Sequence, residues 1–141
     1  VDFKKQARLK VYFPNLYRLL AEKTDSLPQP IQLFGIECRN GWYDLIYNLS
    51  AVLERYILTL PEASRQHFYA SQVKEKWGSL SYYTSLYCEN QQVIEAFAEA
   101  GEASKVTCEV CGEKGELHGD LLWKQTLCDK HLKAYLTTLH G

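Results

Sequence analysis

The feature that most constrains this chain is one spacing: Cys108-Glu109-Val110-Cys111-Gly112, then sixteen residues between Cys111 and the second pair, Cys128-Asp129-Lys130-His131. Two short ligand pairs on separate turns let a small segment converge four soft or borderline donors on one tetrahedral ion without a large apolar core. The spacing predicts a zinc ion held by Cys108, Cys111, Cys128 and His131. Four protein donors leave no position for an activated water, so the expected Zn2+ is structural, one per chain. A redox dithiol would need Cys108 and Cys111 but neither Cys128 nor His131. Cys38 and Cys88 fit small core residues. His118 lies close enough in sequence to replace His131, at a poorer spacing.

The segments around the ligands have an order of their own. A CxxCG knuckle precedes a hairpin-like stretch from Glu116 to Leu127 that turns near Gly119-Asp120. Leu132, Tyr135, Leu136 and Leu139 then recur at helical spacing, placing Cys128 and His131 on a first helical turn. Knuckle, hairpin and helix in that order resemble a treble clef over residues 107–140, an arrangement that serves nucleic-acid, protein and catalytic roles alike.

Upstream, the pattern predicts an α+β body over residues 1–103, with the metal unit, 104–141, packed on it. Residues 3–24 read as helix interrupted at Pro14 and restarted from about Asn15. Thr24 to Pro30 reads as a loop, and Ile31 to Cys38 as a short strand. From Gly41, Trp42 to Leu60 repeat apolar residues at three- and four-residue steps. That is one helical face, with Asn40 as its expected cap and Pro61 as its stop. His67–Val73 and Leu80–Tyr87 read as a β-hairpin turning through residues 74–79, and Asn90 to Ala103 as a helix. The expected architecture is helices packed on a small antiparallel sheet, closed by the metal unit.

Charge and motifs limit the function classes. The net charge of −1 gives no long-range pull on phosphate, and the 104–141 segment balances five lysines with five acids. Lys4, Lys5, Arg8 and Lys10 form the one basic cluster that could serve a nucleic acid. The absence of an apolar run long enough for a bilayer, and of an apolar core in the N-terminal segment, points to a cytoplasmic protein without membrane attachment. No methionine occurs, even at position 1, which fits a trimmed or processed chain. An HNH-type nuclease would use His118 as base, yet no second histidine stands beside it. Deaminase, HExxH, P-loop and GxSxG patterns are absent, so no enzyme is expected. Ten tyrosines and three tryptophans are many for this length, and the hairpin's Phe68, Tyr69, Trp77, Tyr82, Tyr83 and Tyr87 exceed what one buried face holds. Trp77, Tyr83 and Tyr87 are the candidate partner-binding residues, Tyr83 and Tyr87 alternating away from Leu80 and Tyr82.

Gly41-Trp42 opening a helix, Gln72-Val73-Lys74-Glu75-Lys76-Trp77-Gly78-Ser79-Leu80 on a hairpin, and the C-terminal CxxCG with CxxH together resemble small bacterial and prophage-type proteins without an assigned activity. Ser81 departs from that pattern, which has a basic residue there. The resemblance implies an accessory-gene context, in which small proteins act as immunity factors, inhibitors of defence systems or other stoichiometric protein binders.

Overall fold

The computed structural model describes residues 1–140, the side chain of His140 excepted. Its centre is α3 (Tyr43–Thr59), where Ile46, Leu49, Leu53 and Ile57 recur at three- and four-residue steps and are all buried. That stripe packs against α5 (Gln91–Ser104), and α5 in turn lies on the hairpin strand β3 (Ser79–Thr84). The Asn90 side chain accepts the Val93 amide at 3.2 Å and caps α5.

The main sheet has the order β1-β2-β3. β1 (Ile36–Glu37) runs parallel to β2 (Ala70–Lys76), and β2 pairs antiparallel with β3. Register sorts the hairpin into two faces. Val73 opposite Tyr82 and Glu75 opposite Leu80 point toward the helices. Gln72 opposite Tyr83 and Lys74 opposite Ser81 point away. The fold is therefore α+β, with helices on one face of a three-stranded sheet. A second hairpin, β4 (Glu116–His118) with β5 (Gln125–Leu127), leads into α6 (Asp129–His140).

Four local expectations are corrected. Helix α1 (Phe3–Tyr12) forms, but Asn15 to Ala21 makes hydrogen-bonded turns instead of a second helix. Tertiary bonds take the groups a helix would use: the Leu16 carbonyl accepts the Ala70 amide at 2.8 Å, and the Leu16 amide donates to the buried Glu54 carboxylate at 2.9 Å. Pro30 starts a short helix, α2 (Pro30–Phe34), secured by a Gln29/Gln32 capping box, so only Ile36 and Glu37 remain as strand. Asn40 does not cap α3; its amide pairs with Asp2, which caps α1. The main hairpin turns through Trp77 and Gly78 alone, both at positive φ (56° and 85°), the backbone of a two-residue type I′ loop. A four-residue helix, α4 (Glu62–Arg65), follows Pro61.

Candidate metal centre and the groove beside it

Chain geometry brings the four predicted ligands together. The Cys108 amide donates to Glu113 O at 2.7 Å and the Gly112 amide to Cys108 O at 2.9 Å, folding residues 108–113 into a tight knuckle. Gly112 takes φ +82°, which a side chain would strain. On the other side, Cys128 follows β5 directly and its carbonyl accepts the Leu132 amide at 2.9 Å, setting His131 on the first turn of α6.

The ligand atoms all lie within 4.8 Å of one another. Cys128 Sγ is 3.1 Å and Cys108 Sγ 3.6 Å from His131 Nδ1, and Cys111 Sγ is 3.8 Å from Cys128 Sγ. A tetrahedral ion with thiolate bonds of about 2.3 Å and an imidazole bond of about 2.0 Å would space two sulfurs about 3.8 Å apart, and sulfur and nitrogen about 3.5 Å apart. The group thus has the chemistry and the dimensions to hold a metal ion. Burial works against ionising Cys108, but backbone amides around Cys128, Cys111 and Val110 outweigh it and hold that thiol below its usual value. Among the described residues this is the one group of three or more Cys, His, Asp or Glu with such spacing. His118 stands outside it, on β4 opposite Gln125.

The knuckle is fastened to the body through the start of α3. Gly41 donates its amide to Glu109 O at 2.7 Å, and a Cβ at Gly41 would collide with the carbonyl oxygens of Cys108 and Glu109. Trp42, fully buried, donates its indole N–H to Thr107 O at 2.8 Å. The second hairpin is fastened to the first: Thr126 Oγ1 donates to Gly78 O at 2.7 Å, and a Cβ at Gly78 would collide with Leu117 Cδ1. The Gly41-Trp42 pair and the Trp77-Gly78 turn are therefore the two seats of the metal unit on the body.

Between those seats runs a groove of about 1040 Å³. One side is Ile36 to Arg39 with the end of β2, and the other is the segment 122–125 that enters β5. Trp77 and Trp123 line it while remaining 68% and 71% exposed. Glu109, only 5% exposed, is satisfied: it accepts the Arg39 amide at 3.1 Å and the Arg39 guanidinium at 3.4 Å. Glu75 is not. Its Oε2 is buried without a hydrogen-bond partner, and desolvation, then the Glu109 charge, push its carboxyl above the usual value although the Gly78 amide opposes them. Cys38, also in the lining, has its thiol pushed up to about 12, chiefly by burial, and stays protonated.

Other predicted residues are placed less favourably. Of the partner-binding set, only Trp77 faces the groove. Tyr83 pairs with Gln72 near the far end of the ladder, half exposed, and Tyr87 lies beyond β3, largely exposed. The basic N-terminal residues all lie on α1, where Lys4 and Arg8 stand one turn apart. Lys5 sits over the Tyr43 ring at 5.2 Å, and Lys10 bonds Leu20 O at 2.5 Å and Glu22 at 2.7 Å, leaving Lys4 and Arg8 exposed. Sequence reasoning missed Glu75, Glu109, Arg39 and Trp123. Trp123 carried a readable signal: Leu121-Leu122-Trp123 falls in the loop of a finger too small to bury three apolar side chains.

Fold and site together define an α+β protein with a Cys3His group able to hold a metal. No protein-family model, no curated protein and no solved structure matches the chain. Among the described residues no helix is long and apolar enough to cross a membrane.

Proposed function

We propose that Cys108, Cys111, Cys128 and His131 hold one structural zinc ion, and that the protein is a non-enzymatic binding module of the immunity or inhibitor type. It engages a protein partner through the groove beside that ion. Zinc is the ion whose bond lengths and four-coordinate preference best suit three thiolates and an imidazole. With all four positions filled by side chains, its work is to order the segment that carries Trp123 next to Trp77.

The observation that carries the partner reading is Trp77. Its φ of +56° is a backbone conformation that favours Asn, Asp or Gly, and its ring is mostly in solvent. Neither turn geometry nor core packing calls for a tryptophan there. Tryptophan contributes most where a partner desolvates it, and a strained residue beside a groove is characteristic of a functional position.

Native mass spectrometry of the protein, purified from its host without chelator, tests both halves. The expected species contains one zinc and a stoichiometric protein partner, the partner being lost on Trp77→Ala. A metal-free species would overturn the zinc assignment, and bound oligonucleotide in place of a protein would overturn the partner.

A further inference from the structure

We infer that the groove between the Trp77-Gly78 turn and the 119–124 loop receives an extended peptide segment of the partner, carrying one arginine or lysine between acidic residues. The cation lies against Glu75 and between Trp77 and Trp123. This rests on the partner-binding reading and names the chemistry that the same groove would select.

Three observations converge on that occupant. The first is the layering of charge. Glu75, with its buried unpartnered oxygen, and the buried Glu109 are the sheltered acids, whereas Lys76 and Lys124 lie exposed at the edges. Arg39 already answers Glu109, so Glu75 is the acid left for an incoming cation. The outer lysines suit carboxylates on either side of it. A nucleic-acid strand could answer those lysines, but its phosphates would meet Glu75 and Glu109 with like charge.

The second is an open strand edge. β1 pairs with β2 only at Ile36 opposite Val73 and Glu37 opposite Lys74, while β2 continues to Lys76. Beyond Lys74, β2 has β3 on one side and the groove on the other. An extended chain is the shape that lies along such an edge, placing alternate side chains into the groove.

The third is the pair of indoles. Lys124 Nζ lies 5.9 Å from the centre of the Trp77 ring, so the incoming cation takes the ring's other face or displaces Lys124 toward the flanking carboxylates. A guanidinium or ammonium between two tryptophans and a carboxylate would combine ring attraction with a charge-assisted hydrogen bond.

The test uses the full zinc-loaded chain and an array of short synthetic peptides. The central position is Arg, Lys, Gln or norleucine, and the flanks are acidic, neutral or basic; binding is followed by tryptophan fluorescence and calorimetry. The acidic-flanked Arg and Lys peptides should bind best, roughly tenfold or more tighter than the norleucine peptide. Glu75→Gln should erase that preference for a central cation while leaving the norleucine peptide unchanged. Trp123→Ala, a change in an exposed loop residue, should weaken the Arg peptide by about tenfold with zinc content and melting temperature intact. Equal binding of Arg and norleucine peptides, a preference for basic flanks, or a preference that survives Glu75→Gln would each overturn the inference. Capture of a host protein whose affinity is insensitive to Glu75→Gln would overturn the groove chemistry alone and leave the broader partner reading standing.

Discussion

Two tight reversals border the junction of body and metal unit, and they are built to different ends. In the knuckle, Gly112 occupies the left-handed region at φ +82°, where a glycine costs nothing sterically, and its amide closes the turn on Cys108 O. At the hairpin tip, Trp77 occupies the same region at φ +56°, where a Cβ costs on the order of 1 kcal/mol. The acids beside them repeat the contrast. Glu109 has an amide and a guanidinium, while Glu75 keeps an oxygen buried and unanswered. One reversal is optimised for the fold; the other retains groups that the folded chain alone does not use.

The largest effect should come from the knuckle side. Cys111→Ser should abolish stoichiometric metal and remove amide protection across residues 107–139 while α3 and α5 stay protected, since structural zinc contributes on the order of 10 kcal/mol to ordering such units. Metal analysis with hydrogen exchange reads it, and a variant that keeps one equivalent of zinc would break the ligand assignment. Gly41→Ala comes next. The added Cβ meets two carbonyl oxygens that cannot rotate away, so it should cost roughly 2–4 kcal/mol by thermal denaturation, with exchange rising first at residues 107–112.

The two acids then give opposite signs. Glu109→Gln should destabilise by about 1–2 kcal/mol, because it discharges a buried partner of Arg39. Glu75→Gln should leave stability unchanged or raise it at pH 7. The Glu75 carboxyl is raised in the folded state above its ordinary 4.5, so the native state binds that proton more tightly than the unfolded chain does. Its contribution is fully present below the ordinary value and is lost as pH rises through the raised one. The stability of the wild type relative to Glu75→Gln should fall across that window and be flat above it; a difference that grows with pH would show Glu75 to be a paired, structural acid. The smallest effect belongs to Trp77→Asn, which should stabilise the hairpin by several tenths to about 1 kcal/mol by relieving the turn while abolishing partner binding. Loss of stability in that variant would mean the indole serves the fold after all.

The readable parts of this molecule are those whose physics is local. α3 and α5 announce themselves by apolar spacing; in α3 the buried Ile46, Leu49, Leu53 and Ile57 are the expected face, whereas in α5 Val93, Ala100 and Ser104 are buried and Ile94 and Ala98 are exposed. The Cys108, Cys111, Cys128 and His131 group was legible because zinc-type coordination needs two donors per turn, which is a sequence spacing before it is a structure. The errors fell where long-range bonds replaced local ones: Leu16 gives its carbonyl to β2 and its amide to Glu54, 38 positions away, so the segment after Pro14 never completes a helix. Asn40 has the chemistry of a cap yet spends it on Asp2, again 38 positions away. Of the aromatic candidates, Trp77 sits at the hairpin tip and lines the groove, Tyr83 pairs with Gln72 toward the other end of the ladder, and Tyr87 lies beyond β3.

By itself, then, the sequence determined the α3 face, the two hairpins, the α+β class and the four members of the Cys/His group, because each depends on periodicity or on spacing within a few turns. The groove was decided only by tertiary structure. Its two tryptophans come from loops 46 positions apart, and its acids from a strand end and a knuckle. They meet because Gly41 and Gly78 lack the Cβ atoms that would hold the metal unit away from the body. Close approach of two backbones is a property of the packed molecule, and a glycine in a sequence does not say what will come to rest against it.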